Sequence, residues 1–220
     1  MSHDDFAFEP VRGLPAKLPQ GETLLWQGEP RWKALAIRAY HVRKVAAYFL
    51  ILVLVRIGFG INDGHTLGAV ALSCAWIASL GGVAVGVLSF LAYLASRMTV
   101  YSITSERILI RHGVAVPMTI NIPLSLIQAA DLQLFGNNGD IHVGLPKEHR
   151  VGYLVTWPNV RAGYYAHPQP SFRALADAKH AATLLGQTLA AHAGISPLRV
   201  GAGQSIRNIS TVDPRTAATA

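Results

Sequence analysis

Two long apolar runs and one change of hydrophobic period organise the chain. Residues 45–61 and 66–96 carry a single charged side chain between them, Arg56. A soluble fold would have to bury both runs completely in a small core, so each is predicted to be a membrane-spanning helix. With a turn added before it, the first covers 42–61; the second covers 67–95. The 29 residues of the second run reach about 43 Å as a helix, which is too short for two spans and a turn. Asn62-Asp63-Gly64-His65 is the polar connection, so 42–96 is predicted to be a transmembrane helical hairpin. Ser73, Cys74, Ser79, Gly81, Gly82 and Gly86 give the second helix small surface suited to helix packing.

From Met98 onward the period falls to two. Val114, Val116, Met118, Ile120 and Ile122 alternate with smaller or polar residues, which predicts a strand with one buried face. Met98–Ile103 and Arg107–His112 flank a hairpin-like Thr104-Ser-Glu106, and Ile141, Val143 and Leu145 follow a tight turn at Asn137-Asn-Gly139. Val151, Tyr153, Val155 and Trp157 alternate as a further strand. Ser171 then caps a predicted helix in which Phe172, Leu175, Ala178, Ala182, Leu185 and Leu189 fall at helical spacing, with Gly194 at its end. The expected architecture is membrane α+β: a two-helix transmembrane hairpin plus an antiparallel β domain capped by a C-terminal helix. The divisions are 1–41, an N-terminal segment; 42–96, the hairpin; 97–194, the β domain; and 195–220, a Gly, Ser, Thr, Pro and Ala-rich tail expected to be disordered.

Charge orients the hairpin. Arg31, Lys33, Arg38, Arg43 and Lys44 precede the first span, Arg97, Arg107 and Arg111 follow the second, and the connection has no Lys or Arg. The positive-inside rule puts both termini in the cytoplasm of a bacterial inner membrane, cytoplasmic or intracytoplasmic. The acidic N-terminus lacks the basic region of a cleaved signal peptide. Overall composition agrees, with 51% hydrophobic and only 14% charged residues. A net charge of +7 points to an anionic partner, first of all membrane lipid. Nucleic acid is excluded as a partner: Lys and Arg never run longer than two, and no base-reading motif occurs.

Candidate chemistry is sparse. The nine histidines show no metal-ligand spacing, and His41, just outside the first span, is the one candidate for a transient pigment contact. No nucleophile elbow, phosphate-binding Gly loop or Cys–His pairing occurs, so a non-catalytic protein without cofactor or metal is expected. Cys74 reads as a small buried hydrophobe, while Trp26 and Trp32 read as interfacial aromatics. Arg56, near the far end of its helix, either snorkels to the headgroups or meets a carboxylate of another membrane protein.

Several segments resemble known proteins. Tyr101-Ser-Ile-Thr-Ser-Glu-Arg107-Ile-Leu-Ile-Arg-His-Gly113, Ile122-Pro123, Ile127 and Gly139-Asp-Ile141 resemble the bacterial pleckstrin-homology-like domain that follows a two-helix anchor. Leu18–Trp32 resembles the opening motif of the same class. Arg38-Ala-Tyr-His-Val-Arg-Lys44, Trp157-Pro-Asn-Val-Arg161 and Pro168-Gln-Pro-Ser-Phe-Arg173 look like those of PuhB-type photosynthetic complex assembly proteins of purple bacteria. Where that family commonly has a second Trp or Arg-Pro after Arg161, this chain has Ala162-Gly163-Tyr164.

The resemblance implies a non-catalytic assembly factor for the photosynthetic reaction centre, with its core antenna as a further candidate client. Transient contacts with reaction-centre or core-antenna subunits, and self-association, are the expected partnerships. Trp157, Arg161 and Arg173 are the expected partner-binding residues, because Trp and Arg carry interface energy disproportionately; Arg56 is the candidate within the bilayer. The alternative is a PH-like membrane module unrelated to photosynthesis that binds lipid or another membrane protein. Its candidate basic site is Arg107 with Arg111, four apart on one strand face.

Overall fold

The computed structural model describes residues 12–14, 16–114, 116–149 and 151–193. It divides into two compact units: Arg31–Arg97, and a second one assembled from the chain on either side of it.

The first unit is helical, with α1 at Trp32–Arg38, α2 at Val42–Asn62 and α3 at Leu67–Met98. α2 and α3 are both long and apolar enough to cross a membrane, and little of either is covered by the rest of the protein. Their apolar side chains point outward, as Leu50, Phe59 and Trp76 show. α3 continues three residues past the predicted end at residue 95. Where α2 and α3 meet, glycines receive side chains: a Cβ at Gly81 would lie 2.8 Å from Phe49, and one at Gly60 would lie 2.5 Å from Val70. Close backbone approach at small residues is how helices associate where burial of apolar surface gives no advantage over lipid.

The second unit contains two antiparallel sheets. The larger has the order β1 (Leu24–Gly28), β2 (Val100–Thr104), β3 (Arg107–His112) and β4 (Met118–Pro123). The smaller has the order β5 (Ala129–Phe135), β6 (Asn138–Gly144) and β7 (Ser171–Leu175). A single-turn helix, α4 (Tyr153–Thr156), interrupts the β6–β7 connection, and α5 (Ala178–His192) packs on β5 and β6. Two-residue connections join β2 to β3 and β5 to β6, which fixes their registers. In the first, the Thr104 hydroxyl accepts N–H bonds from Glu106 and Arg107. Inward residues of both sheets, among them Ile103, Ile108, Ile110, Ile141 and Val143, form one core with Leu185 of α5. Its centre is a stack of three rings: Phe172 of β7 lies between Trp26 of β1, at 6.2 Å, and Tyr101 of β2, at 4.8 Å.

Five expectations change. The N-terminal segment is not separate from the β domain, because β1 lies within it. Trp26 is buried in the core rather than interfacial, and its indole N–H donates to Asp177. β4 begins only at Met118, and Val116 is exposed, since the turn at Gly113 shortens the strand. Residues 151–157 form no strand; Tyr153–Thr156 turn as α4. Ser171–Leu175 is a buried strand and the helix starts at Ala178, because residues 171–175 pair with β6. The predicted tail at 195–220 lies outside the described residues.

Candidate functional site

The connection from β6 to β7 carries the two Trp-Pro and Pro-x-Pro segments, and its mounting is built from backbone and buried polar groups. Asn159 donates its N–H to the Thr156 carbonyl at 2.7 Å and accepts the Ser171 N–H at 2.9 Å. Its side-chain oxygen receives the Tyr101 hydroxyl at 2.6 Å, with both residues fully buried. Burial pushes the Tyr101 phenol far up, so it keeps its proton and remains the donor. Further along, the Arg161 N–H donates to the Gln169 carbonyl at 2.9 Å, and Val160 bridges to Pro170. The two limbs of the connection are therefore clamped to one another and to the core.

On that mount sits an exposed apolar surface. Leu154 is 87% exposed, Tyr165 70%, and Val155, Trp157 and Tyr164 between 41 and 49%. The Tyr153 and Tyr165 rings meet at 4.8 Å. Desolvation, reinforced by Tyr165, raises the Tyr153 phenol above its ordinary value. Arg161 borders the surface: its guanidinium donates to Asp131 at 3.0 Å and to Gln169 at 2.9 Å while lying 4.4 Å from the Tyr164 ring centre. A cation held by a carboxylate, an amide and a ring face is fixed in direction.

The four predicted site residues do not converge. Trp157 and Arg161 belong to this surface. Arg173 is buried in β7, where its guanidinium donates to the Val160 carbonyl at 3.0 Å and faces the Asp140 carboxylate at 3.4 Å. It is a mounting residue, not a partner contact. The strand that replaced the predicted start of the helix turned it inward. Arg56 lies in α2, in the other unit, with its guanidinium 3.1 Å from where a Gly60 Cβ would stand; that places it toward the α2–α3 connection. Leu154 was missed in the sequence because the alternation of Val151, Tyr153, Val155 and Trp157 left it on the opposite face of a predicted strand.

Of the basic pair on β3, Arg107 is already engaged by a carboxylate. Arg107 forms a two-pronged ion pair with Glu22 through Nε and Nη2. That hydrogen bonding holds the Glu22 carboxyl below its ordinary range and raises Arg107. Beside the aromatic surface lies a cavity of about 40 Å³ lined by His149, His167, Gln169, Leu145, Pro146 and Pro168. It has room for water but not for a cofactor. Among the described residues no group of three or more His, Cys, Asp or Glu could hold a metal. The arrangement offers an exposed apolar surface on a hydrogen-bonded mount.

The family profile described as "Bacterial PH domain" matches residues 43–188. A relative from Rhodobacter capsulatus, described as "Uncharacterized 23.7 kDa protein in puhA 5'region", is 32% identical over 189 residues, which is 85% of this chain and 88% of that protein. No solved structure matches the chain. The profile covers most of α2, all of α3 and β2 through β7, as well as most of α5, and the chain belongs to the bacterial PH domain family.

Proposed function

We propose that this protein is a PuhB-type, non-catalytic assembly factor for the photosynthetic reaction centre, with the core antenna as a further client, anchored in a bacterial inner membrane with both termini cytoplasmic. The observation that carries the reading is the extended identity to a protein whose name sets its gene beside puhA, a reaction-centre gene region of a purple bacterium. The excess of Lys and Arg on the flanks of the helices supports the orientation. The surface of Leu154, Trp157 and Tyr165, edged by Arg161, supports a docking role: a contiguous apolar patch on a rigid mount is a recognition feature. Transient association follows from two weak contacts, one within the bilayer and one through this surface, that act together at high effective concentration. Pairing of Arg107 with Glu22 weighs against the alternative reading of a headgroup pocket on the β domain.

The test is a deletion strain of a host that carries this protein, with reaction-centre and antenna absorbance measured separately. Fewer complexes with unchanged pigment spectra are expected, because a scaffold alters how many complexes are completed and not what each contains. Altered pigment would overturn the non-catalytic reading. Leu154→Ser with Trp157→Ala should lower complex yield while the protein itself accumulates normally; unchanged yield at normal protein level would remove the surface from the proposal.

A further inference from the structure

The helical unit carries an arrangement that the docking surface does not use. Trp32, the first residue of α1, meets Tyr93 of α3 edge to face, with ring centroids 6.3 Å apart and planes at 86°. Lys33 Nζ lies 5.7 Å from the Trp32 ring centre. The Arg97 guanidinium lies 5.6 Å from the Tyr93 ring centre, and its Nε donates to the Tyr93 hydroxyl at 3.3 Å. All four side chains are exposed. Two separate helices therefore present two cations on two adjoining aromatic faces.

The position along α3 gives the arrangement its meaning. From Leu67 to Tyr93 the helix rises about 40 Å, the thickness of a bilayer with its headgroups. A helix entering one headgroup layer at Leu67 brings Tyr93 to the other, where Trp and Tyr rings settle, and puts Arg97 one turn further out. The charge at this end has one sign. Arg31, Lys33, Arg38, Arg43, Lys44 and Arg97 lie here, while no Asp or Glu occurs from residue 31 to 62 or from 64 to 105. Asp63 is at the opposite end of the hairpin. These six cations match most of the chain's net charge of +7.

We propose that Trp32, Lys33, Tyr93 and Arg97 form a binding site for the phosphate of an anionic phospholipid. Lys33 and Arg97 take the phosphate oxygens, the guanidinium through paired N–H groups, and the two rings lie against the glycerol and upper acyl carbons. A zwitterionic lipid brings its own cation to such a site and so binds it less well. The site rests on the reading that α2 and α3 span a bilayer.

The experiment titrates the detergent-solubilised full-length protein with phosphatidylglycerol or phosphatidylcholine and counts retained lipids by native mass spectrometry. Phosphatidylglycerol should be retained roughly tenfold more tightly. Lys33→Gln with Arg97→Gln should bring it to the phosphatidylcholine level, and Lys179→Gln, on α5, should change nothing. Equal retention of the two lipids by the unaltered protein overturns the site without recourse to any variant. Undiminished preference in the double variant overturns it too, as does displacement of the lipid by millimolar glycerol phosphate, which would identify a free-phosphate site. Flotation with vesicles after carbonate extraction separates the two levels: failure to float sinks the spanning helices, whereas flotation without lipid preference sinks only the site.

Discussion

The Arg173 guanidinium faces the Asp140 carboxylate at 3.4 Å, and both side chains are buried, on adjacent strands of the smaller sheet. Asp140 also accepts the Ala174 N–H at 2.7 Å, at a residue held in the left-handed region with φ 57°. Removing one partner leaves a charge stranded in a dry interior. Arg173→Met should therefore destabilise the β unit by about 3–5 kcal/mol, seen as a lower thermal midpoint in detergent. A loss below 1 kcal/mol would mean that water reaches Asp140. The double variant with Asp140→Asn should recover part of the loss, because no uncompensated charge remains.

Acid sensitivity should come in two windows. His112 is buried, and desolvation lowers its proton affinity from the ordinary 6.5. The unfolded chain then binds more protons than the folded one, so stability falls as pH drops below 6.5. Glu22 is held low by Arg107, from an ordinary 4.5; its contribution is present above 4.5 and is lost as pH falls through the depressed folded value. His112→Gln should flatten the first slope and Glu22→Gln the second. Thermal midpoints between pH 7 and pH 3 would check both, and a slope that survives its own substitution would refute the assignment.

Trp26 stacks on Phe172 and its indole donates to Asp177 at 3.1 Å. Trp26→Ala should cost about 3–5 kcal/mol, through a cavity between the sheets and a lost hydrogen bond. Limited proteolysis should then cut the β unit faster. Resistance equal to that of the unaltered protein would place Trp26 outside the core.

Neighbouring glycines of α3 should respond differently. A Cβ at Gly81 meets Phe49 at 2.8 Å, whereas one at Gly82 meets nothing within 4 Å. Gly81→Ala should weaken the α2–α3 pairing by about 1–3 kcal/mol of overpacking, and Gly82→Ala should be neutral. Resistance to unfolding in increasing SDS would rank them, and equal behaviour would disprove the packing.

Long-range composition made the helices legible: nothing but Arg56 interrupts the two runs, and a polar tetrapeptide separates them. The hairpin at Thr104 was legible because its signals are local. Strand β7 was not. Phe172 and Leu175 are three apart, a spacing that suits a helix, and only pairing with β6 makes the segment extended. Tertiary hydrogen bonding decided the outcome over local pattern. Trp26 was misread for the same reason: its neighbour in space, Phe172, is 146 positions away. Within the candidate site, residue type picked Trp157, Arg161 and Arg173 alike, but only exposure separates a surface residue from a mount, and the burial of Arg173 shows that residue type alone cannot.

Strand β1 is synthesised first, yet its partner β2 lies beyond the whole helical hairpin. On the ribosome, Leu24–Gly28 emerges with no edge to join and must wait while some seventy residues are made. Only then does Val100 arrive to pair with it, and Phe172 later still to cover Trp26. Chain order thus makes completion of the β unit wait on the synthesis of both long helices. A polypeptide cut short within α3 is left with an unpaired strand and an open aromatic core, the kind of surface that quality-control proteases recognise.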